Sequence, residues 1–348
     1  MNVLAVAVSF GVGMSVVLLA TPQVIRFSRQ FRLYDRIDYR KIHTGQTSRL
    51  GGVAMFGGAV VAMAAGLLVN GTYTVTKAAA LGAGFSLVFA VSLWDDLRGL
   101  PWWVRLIAQA IGAAVFAALT VRPFVRLNLP LVGVVSPGLW SYPIVILWLM
   151  ITTNAMNLID GTDGLAAGIA AIAGTVLMVS AWRNGLRGPT MLAAVTVGVC
   201  AGFLPYNFPP ARIFMGDAGA TLLGFTLGAS SLTGAGKNVG FMSLLIPILA
   251  LAVPLFDVVS AVVRRTSRGE SVFEADRRHI HHLLLGLGLG PRRTLVLLYL
   301  LTAVLGAIGL SLAGGPRTAA LLIAVLVGLG ALFVLGRRQR SGGDEAGD

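Results

Sequence analysis

The 348 residues are 56% hydrophobic and only 12% charged, against roughly 25% charged residues in soluble domains. That deficit excludes a water-soluble surface, and the net charge of +13 is no nucleic-acid footprint, because the basic residues sit in short loops rather than on one soluble face. An all-α, polytopic integral membrane protein is expected, since in lipid a helix satisfies its own backbone.

In chain order, the apolar segments predict about eleven transmembrane helices, near 2–20, 51–69, 77–94, 103–121, 139–153, 164–181, 189–205, 218–233, 241–263, 294–313 and 318–336. The first has no basic residue before its core and no convincing cleavage site, so it reads as a retained span rather than a signal peptide. Residues 1–340 form one polytopic domain, and 341–348 read as a disordered cytoplasmic tail. Most of the 27 Lys and Arg lie in loops on one side of the spans, which the positive-inside rule makes cytoplasmic. The N-terminus is then outside, and the C-terminus with Arg337, Arg338 and Arg340 inside. Cys200 is the single cysteine, so no intramolecular disulfide forms. The many glycines suit close helix packing in lipid.

Orientation does not require acidic residues, so their placement is informative. All 14 fall on the cytoplasmic side or in the inner part of a span. Asp35 and Asp38 follow span one, Asp95 and Asp96 close span three, and Asp160 and Asp163 separate spans five and six. Asp217 opens span eight, Asp257 lies late in span nine, and Glu270, Glu274 and Asp276 fill the next loop.

Adjacent carboxylates such as Asp95 and Asp96 repel one another and need a cation or hydrogen-bond donors if both stay ionised; a solvated helix end is the plainer alternative. In the next motif, Asn154, Asn157, Asp160 and Asp163 are spaced by three residues, which on a helical turn puts them near one face. Gly161 and Gly164 there let backbone approach a ligand. Asp217, in Phe214-Met-Gly-Asp217, stands where a helix starts and either caps it or belongs to a site where free N–H groups meet an anion. His279, His281 and His282 follow Arg277 and Arg278. With no cysteine or well-spaced fourth ligand, zinc is disfavoured and donation to phosphate oxygens fits better; a basic segment on anionic lipid is the alternative. The first inner loop, Arg40-Lys41 to Arg49-Leu-Gly-Gly52, combines cations with a glycine pair and suits phosphate, or simply orientation.

Together these segments, from about Asp38 to about Arg293, resemble the polyprenyl-phosphate N-acetylhexosamine-1-phosphate transferase family (glycosyltransferase 4). The His-Ile-His-His form and eleven spans look more like its bacterial undecaprenyl-phosphate N-acetylglucosamine-1-phosphate transferases than its muramoyl-pentapeptide branch. The resemblance implies that Asp217 and Asn157 hold Mg²⁺, with Mn²⁺ as a substitute. It implies that Asp95 and Asp96 flank the reacting phosphates as catalytic residues with Asp217, and that Arg105 meets the pyrophosphate. Lys41, Arg49, Asn154, Asp160, Asp163, Arg278, His279, His281 and His282 are the remaining substrate-binding residues it implies. Arg105 stands where a lysine is common, Gln46 and Ser48 where prolines are, and Ala218 and Ala220 where serines are.

The implied reaction passes a sugar 1-phosphate, N-acetylglucosamine 1-phosphate foremost, from a UDP-sugar donor to a polyprenyl phosphate acceptor in membrane lipid. UMP is released at the cytoplasmic face of the inner (plasma) membrane, as the first lipid-linked step of cell-envelope polysaccharide synthesis. A phospho-N-acetylmuramoyl-pentapeptide transferase and, from another class, a transporter are the alternatives, although outer halves of spans without acidic residues argue against a cation path. A covalent Asp95 or Asp96 intermediate is the rival to single displacement. A homodimer is compatible with the sequence, which does not fix the oligomeric state.

Overall fold

The computed structural model describes residues 3–31, 33, 47–70, 75–120, 126–129, 133–233, 238–270 and 279–314. The predicted span 318–336, the tail 341–348, Lys41, His43, Arg277 and Arg278 lie outside them. Helices dominate: α1 Val3–Gln30, α2 Gly51–Asn70, α3 Val75–Arg98, α4 Trp102–Thr120, α5 Ser141–Ile159, α6 Leu165–Arg183, α7 Arg187–Asn207 and α8 Gly216–Thr233. They continue with α9 Phe241–Ala250, α10 Ala252–Thr266, α11 Ile280–Gly286 and α12 Pro291–Gly314. Among the described residues seven helices, α1, α2, α4, α5, α6, α7 and α12, are long and apolar enough to cross a membrane. Their outward surface is apolar as well, with Leu19 70% and Leu68 89% exposed, a surface that needs lipid against it.

Span nine is a correction: it is two helices that meet at Leu251. Pro254 has no N–H for the carbonyl of Ala250, and its ring crowds that carbonyl, so one continuous helix is broken. A second correction is a small sheet in a chain expected to be all-α. Here β1 Arg126–Leu129 pairs antiparallel with β2 Gly133–Val135 and parallel with β3 Asn238–Gly240. It joins the end of α4 to the start of α5 and the end of α8 to the start of α9, the end of the bundle away from Asp95, Asp160 and Asp217.

The core lies around α6, α7 and α8, where Ile169, Ala170, Val195, Phe203, Leu223 and Leu227 are buried together. Glycines set how closely the helices approach. A Cβ on Gly224 of α8 would lie 2.5 Å from the Thr152 carbonyl of α5, so backbone meets backbone there, the close packing that substitutes for a hydrophobic driving force in lipid.

Candidate active site

The acidic motifs converge where the ends of α3 and α5 meet the start of α8. Helix α3 runs four residues past Trp94, so Asp95 and Asp96 occupy its last turn rather than following it. Carboxylates are unfavourable at the negative end of a helix dipole, and other elements compensate. The Nη1 of Arg105, one turn into α4, lies 2.9 Å from Asp95 Oδ2 and 2.8 Å from Asp217 Oδ2. Asp95 also accepts from the Leu100 N–H. Asp96 Oδ1 and Oδ2 accept from the backbone N–H groups of Asp217 and Ala218, each at 2.9 Å.

The reading of Asp217 as cap to its own helix is thereby corrected, for Asp96 supplies the anion from 121 residues away. The two N–H groups are spent on that carboxylate and not left for a phosphate. Gly216 makes the approach: it has φ of +69°, and a Cβ there would lie 2.6 Å from Asp96 Oδ2 and against the Arg49 carbonyl. Only glycine takes that backbone conformation without strain.

Backbone pairing holds α2 against the same loop. Phe214 N–H donates to Ser48 O, Gly51 N–H to Phe214 O and Gly52 N–H to Met215 O, at 2.8, 3.0 and 2.8 Å. The orphan donors of the first turn of α2 are thus satisfied. The glycine pair is explained by contact, since a Cβ on Gly52 would lie 2.6 Å from Gly219 N. Ser48, at a position where proline is common in the resembling family, uses its hydroxyl on Ser28 Oγ at 2.8 Å. Burial, and then the charge of Asp217, pushes the Asp96 carboxyl up to about 7, and Arg49 opposes that rise here as it does at Asp160.

The string from Asn154 to Asp163 does not share one helical face, because α5 ends at Ile159 and Asp160 follows it with φ −75° and ψ 42°. Gly164, at φ +76°, starts α6 from the left-handed region. Asn154 exchanges hydrogen bonds with Gln109 of α4 and donates to Met150 O. Asp163 Oδ2 accepts from Ala211 N–H at 2.9 Å and is buried, tying the two loops together. Asn157 Nδ2 reaches Asp217 Oδ2 at 3.4 Å, while Asn157 Oδ1 is buried with no hydrogen-bond partner. Burial first, then the charges of Asp217 and Asp96, holds the Asp160 carboxyl well above the usual range.

An orphaned carbonyl oxygen beside a carboxylate is an arrangement a hard cation satisfies. Among the described residues no three His, Cys, Asp or Glu side chains form a closed metal cage. Mg²⁺ needs no such cage, being bound by one or two protein oxygens plus water and phosphate.

The histidines lie across the turn that follows α5. His281 is 1% exposed, and neither ring nitrogen has a partner. A Cβ on Gly161 would run into its Nε2, so a glycine beside Asp160 makes room for the ring. His281 stacks on His279 at 5.9 Å and lies 4.2 Å from the His282 ring. Burial, with smaller contributions from His282 and His279, pushes the imidazole of His281 down to about 4. Asp257, noted only as an acid in span nine, pairs with His279: Oδ2 lies 2.8 Å from Nδ1, and Oδ1 accepts from Ile280 N–H at 2.9 Å. An ionisable group in an apolar helix was the signal for it.

Comparison with known proteins points to one family. Residues 78–235 match glycosyl transferase family 4. Over 301 residues, 86% of this chain and 83% of the relative, the chain is 36% identical to a probable undecaprenyl-phosphate N-acetylglucosaminyl 1-phosphate transferase of Bacillus subtilis (strain 168). It is 37% identical over 333 residues, 86% of this chain and 81% of the relative, to a decaprenyl-phosphate N-acetylglucosaminephosphotransferase of Mycobacterium tuberculosis (strain ATCC 25618 / H37Rv). The undecaprenyl-phosphate alpha-N-acetylglucosaminyl 1-phosphate transferase of Escherichia coli (strain K12) is 28% identical over 298 residues, 82% of this chain and 77% of the relative.

Proposed function

Since the chain belongs to glycosyl transferase family 4, with the polyprenyl-phosphate N-acetylglucosamine-1-phosphate transferases, we propose that it transfers N-acetylglucosamine 1-phosphate from UDP-N-acetylglucosamine to a membrane polyprenyl phosphate at the carboxylate cluster. The observation that carries the assignment of the site is the single Arg105 nitrogen between Asp95 and Asp217, with the unpartnered Asn157 Oδ1 beside them. Charge handling of that density suits the meeting of two phosphate-bearing anions.

In the proposed single displacement, an oxygen of the polyprenyl phosphate attacks the β-phosphorus of the UDP-sugar. A new P–O bond forms, the bond from that phosphorus to the bridging oxygen breaks, and UMP leaves with the electron pair. The acceptor monoester, with a second pKa near 6, is already largely dianionic at neutral pH, so no strong base is required. A divalent cation, Mg²⁺ with Mn²⁺ as substitute, would be held by Asn157 and Asp217 and supplies neutralising charge when bound. Arg105 provides a fixed positive charge between Asp95 and Asp217. Asp96 holds the start of α8, and with it Asp217, in place. His281, neutral and without a partner, offers a ring nitrogen to a sugar or phosphate oxygen.

The orientation belongs to the same reading: the site faces the cytoplasm of the inner membrane, where the UDP-sugar is. Lys and Arg bias supports it. With the buried Cys200 replaced by Ser, a cysteine at Gly185 should label from outside intact cells and one at Gly269 should not. Gly269 labelling first would reverse the face. The reaction is tested with purified protein, Mg²⁺, polyprenyl phosphate and a panel of UDP-sugars, assaying UMP. UMP should appear with UDP-N-acetylglucosamine and only when the acceptor lipid is present; release independent of the lipid, or none with any donor, would overturn the reading.

A further inference from the structure

Resting on that reading of the site, we propose that Asp257 is a positioning residue for the transfer, which fixes the ring of His279 and the start of α11 and acts on the donor only through His279. Helix α10 buries Val253, Pro254, Asp257, Ala261 and Arg265, while Phe256, Val259 and Val263 are exposed on its other side. An acid on the buried face of such a helix is costly unless it is fully hydrogen-bonded. Both of its oxygens are used on the histidine segment: Oδ2 on His279 Nδ1 at 2.8 Å and Oδ1 on the Ile280 N–H at 2.9 Å. Asp257 is 2% and His279 7% exposed, so bulk water does not compete with the pair.

Three consequences connect this pair to the site. First, α11 has only seven residues, too few to be stable alone, and its N-cap residue His279 makes no side-chain bond to its own helix. The capping acceptor is Asp257. Second, an ionised carboxylate only accepts, so Nδ1 of His279 carries the hydrogen in this pair and Nε2 is the nitrogen that can address a ligand. Third, the His279 ring lies parallel to that of His281, with 6° between planes, and His281 packs against Gly161. Fixing His279 therefore sets the height of α11 over the turn that carries Asp160.

Asp257→Asn separates positioning from bulk support. The amide oxygen can still accept from Ile280, but an NH₂ replaces the oxygen facing Nδ1, so the ring must reverse its tautomer or turn away. The chain has four histidines, so ¹⁵N-histidine spectra of the full chain in nanodiscs can be assigned by single His→Ala variants. The His279 signals should report Nδ1–H in the native protein and change in D257N, with the thermal midpoint unchanged. The KM for UDP-N-acetylglucosamine should rise roughly ten-fold or more, the scale on which such orienting carboxylates act. In a His279→Ala background the same substitution should add less than about two-fold. Independent, multiplicative losses in the double variant, an unchanged His279 spectrum in D257N, or a melting loss that tracks the activity loss would overturn the proposal. Should the native protein release no UMP from any donor, the transferase reading fails, whereas the ¹⁵N signature still decides whether Asp257 orients His279.

Discussion

The carboxylate cluster and the histidine segment lie on the same end of the bundle, yet they are built in opposite ways. In the cluster the carboxylates are cross-linked, with Asn157 Oδ1 left as the orphan among them: Asp96 is engaged by two backbone N–H groups, Asp95 and Asp217 by one Arg105 nitrogen, and Asp163 by Ala211. In the histidine segment one ring, His279, is held by Asp257, and the next, His281, is buried with both nitrogens unsatisfied. Cross-linked acids hold geometry before a ligand arrives, whereas an orphaned imidazole gains its full value only from a ligand or water. The first region is a rigid frame for charge, and the second, in the proposed reaction, would be the sensor of a bound donor.

The largest effect expected of this contrast comes from Asp217→Asn. The side chain keeps its volume and loses the charge that Arg105 uses and that the proposed cation would use, so turnover should fall by about 10³-fold, measured as UMP release at saturating Mg²⁺. Stability should hold within about 1 kcal/mol, because the Arg105 and Asp217 side chains are 33% and 30% exposed and such ion pairs contribute little. Near-normal turnover would remove Asp217 from the machinery. Asp96→Ala should come next and differ in kind. It strips the acceptor from the first N–H groups of α8, costing about 1–2 kcal/mol in a reversible melt, and lowers turnover roughly 100-fold. Lost activity with an unchanged melt would mean that Asp96 is not part of the frame.

What could be read from the sequence follows the range of the interaction that encodes it. Spans are local and uniformly apolar, so every described helix of spanning length was legible, although α3 outran its apolar part to carry Asp95 and Asp96. Pro247 and Pro254 were visible inside span nine, but apolar length outweighed them and the break at Leu251 was missed. Helix α11 and the strands are too short to show a period. The candidate residues stood out as types, since acids and histidines are rare in this composition. Their partners were not, because Asp96 caps a helix 121 residues away and Asp257 orients a histidine 22 residues away, pairings that leave no local pattern. Asn154 and Asp163 show the reverse: their spacing suggested a shared face, and the structure uses them on Gln109 and on Ala211.

A smaller effect tests the sensing half. His281 is buried beside two other imidazoles, which lowers its affinity for a proton to about 4, below the ordinary 6.5 of the unfolded chain. Between those values the unfolded state binds the proton and the folded state does not. The contribution of His281 is thus fully present above about pH 6.5 and is lost as pH falls toward 4. Thermal midpoints measured from pH 7.5 to 5 should fall more steeply for the native protein than for His281→Gln. Parallel curves would mean that the ring is not shielded. The same variant should lose activity roughly ten-fold while stable at pH 7.5, and a zinc-selective chelator with Mg²⁺ in excess should change nothing. Zinc-restored activity would replace the phosphate role.

The smallest effect is the most discriminating for the frame. Arginine and lysine are ordinarily not interchangeable where a guanidinium binds in a fork. Here both contacts of Arg105, to Asp95 and to Asp217, come from the single nitrogen Nη1, so the fork is not used on the protein side. A lysine ammonium is a point charge with three donors and can serve two carboxylates from one atom. Arg105→Lys should therefore retain activity within about five-fold, whereas Arg105→Gln, which leaves two acids without their shared cation, should fall by about 100-fold. The measurement is kcat and KM for both substrates at fixed Mg²⁺, with the melt as control. If the lysine variant falls as far as the glutamine variant while its melt is unchanged, the remaining guanidinium nitrogens must be engaged by the substrates in the working complex. Arg105 would then belong with His281 among the groups that await a ligand, and the division between a satisfied frame and an unsatisfied sensor would run through this one side chain.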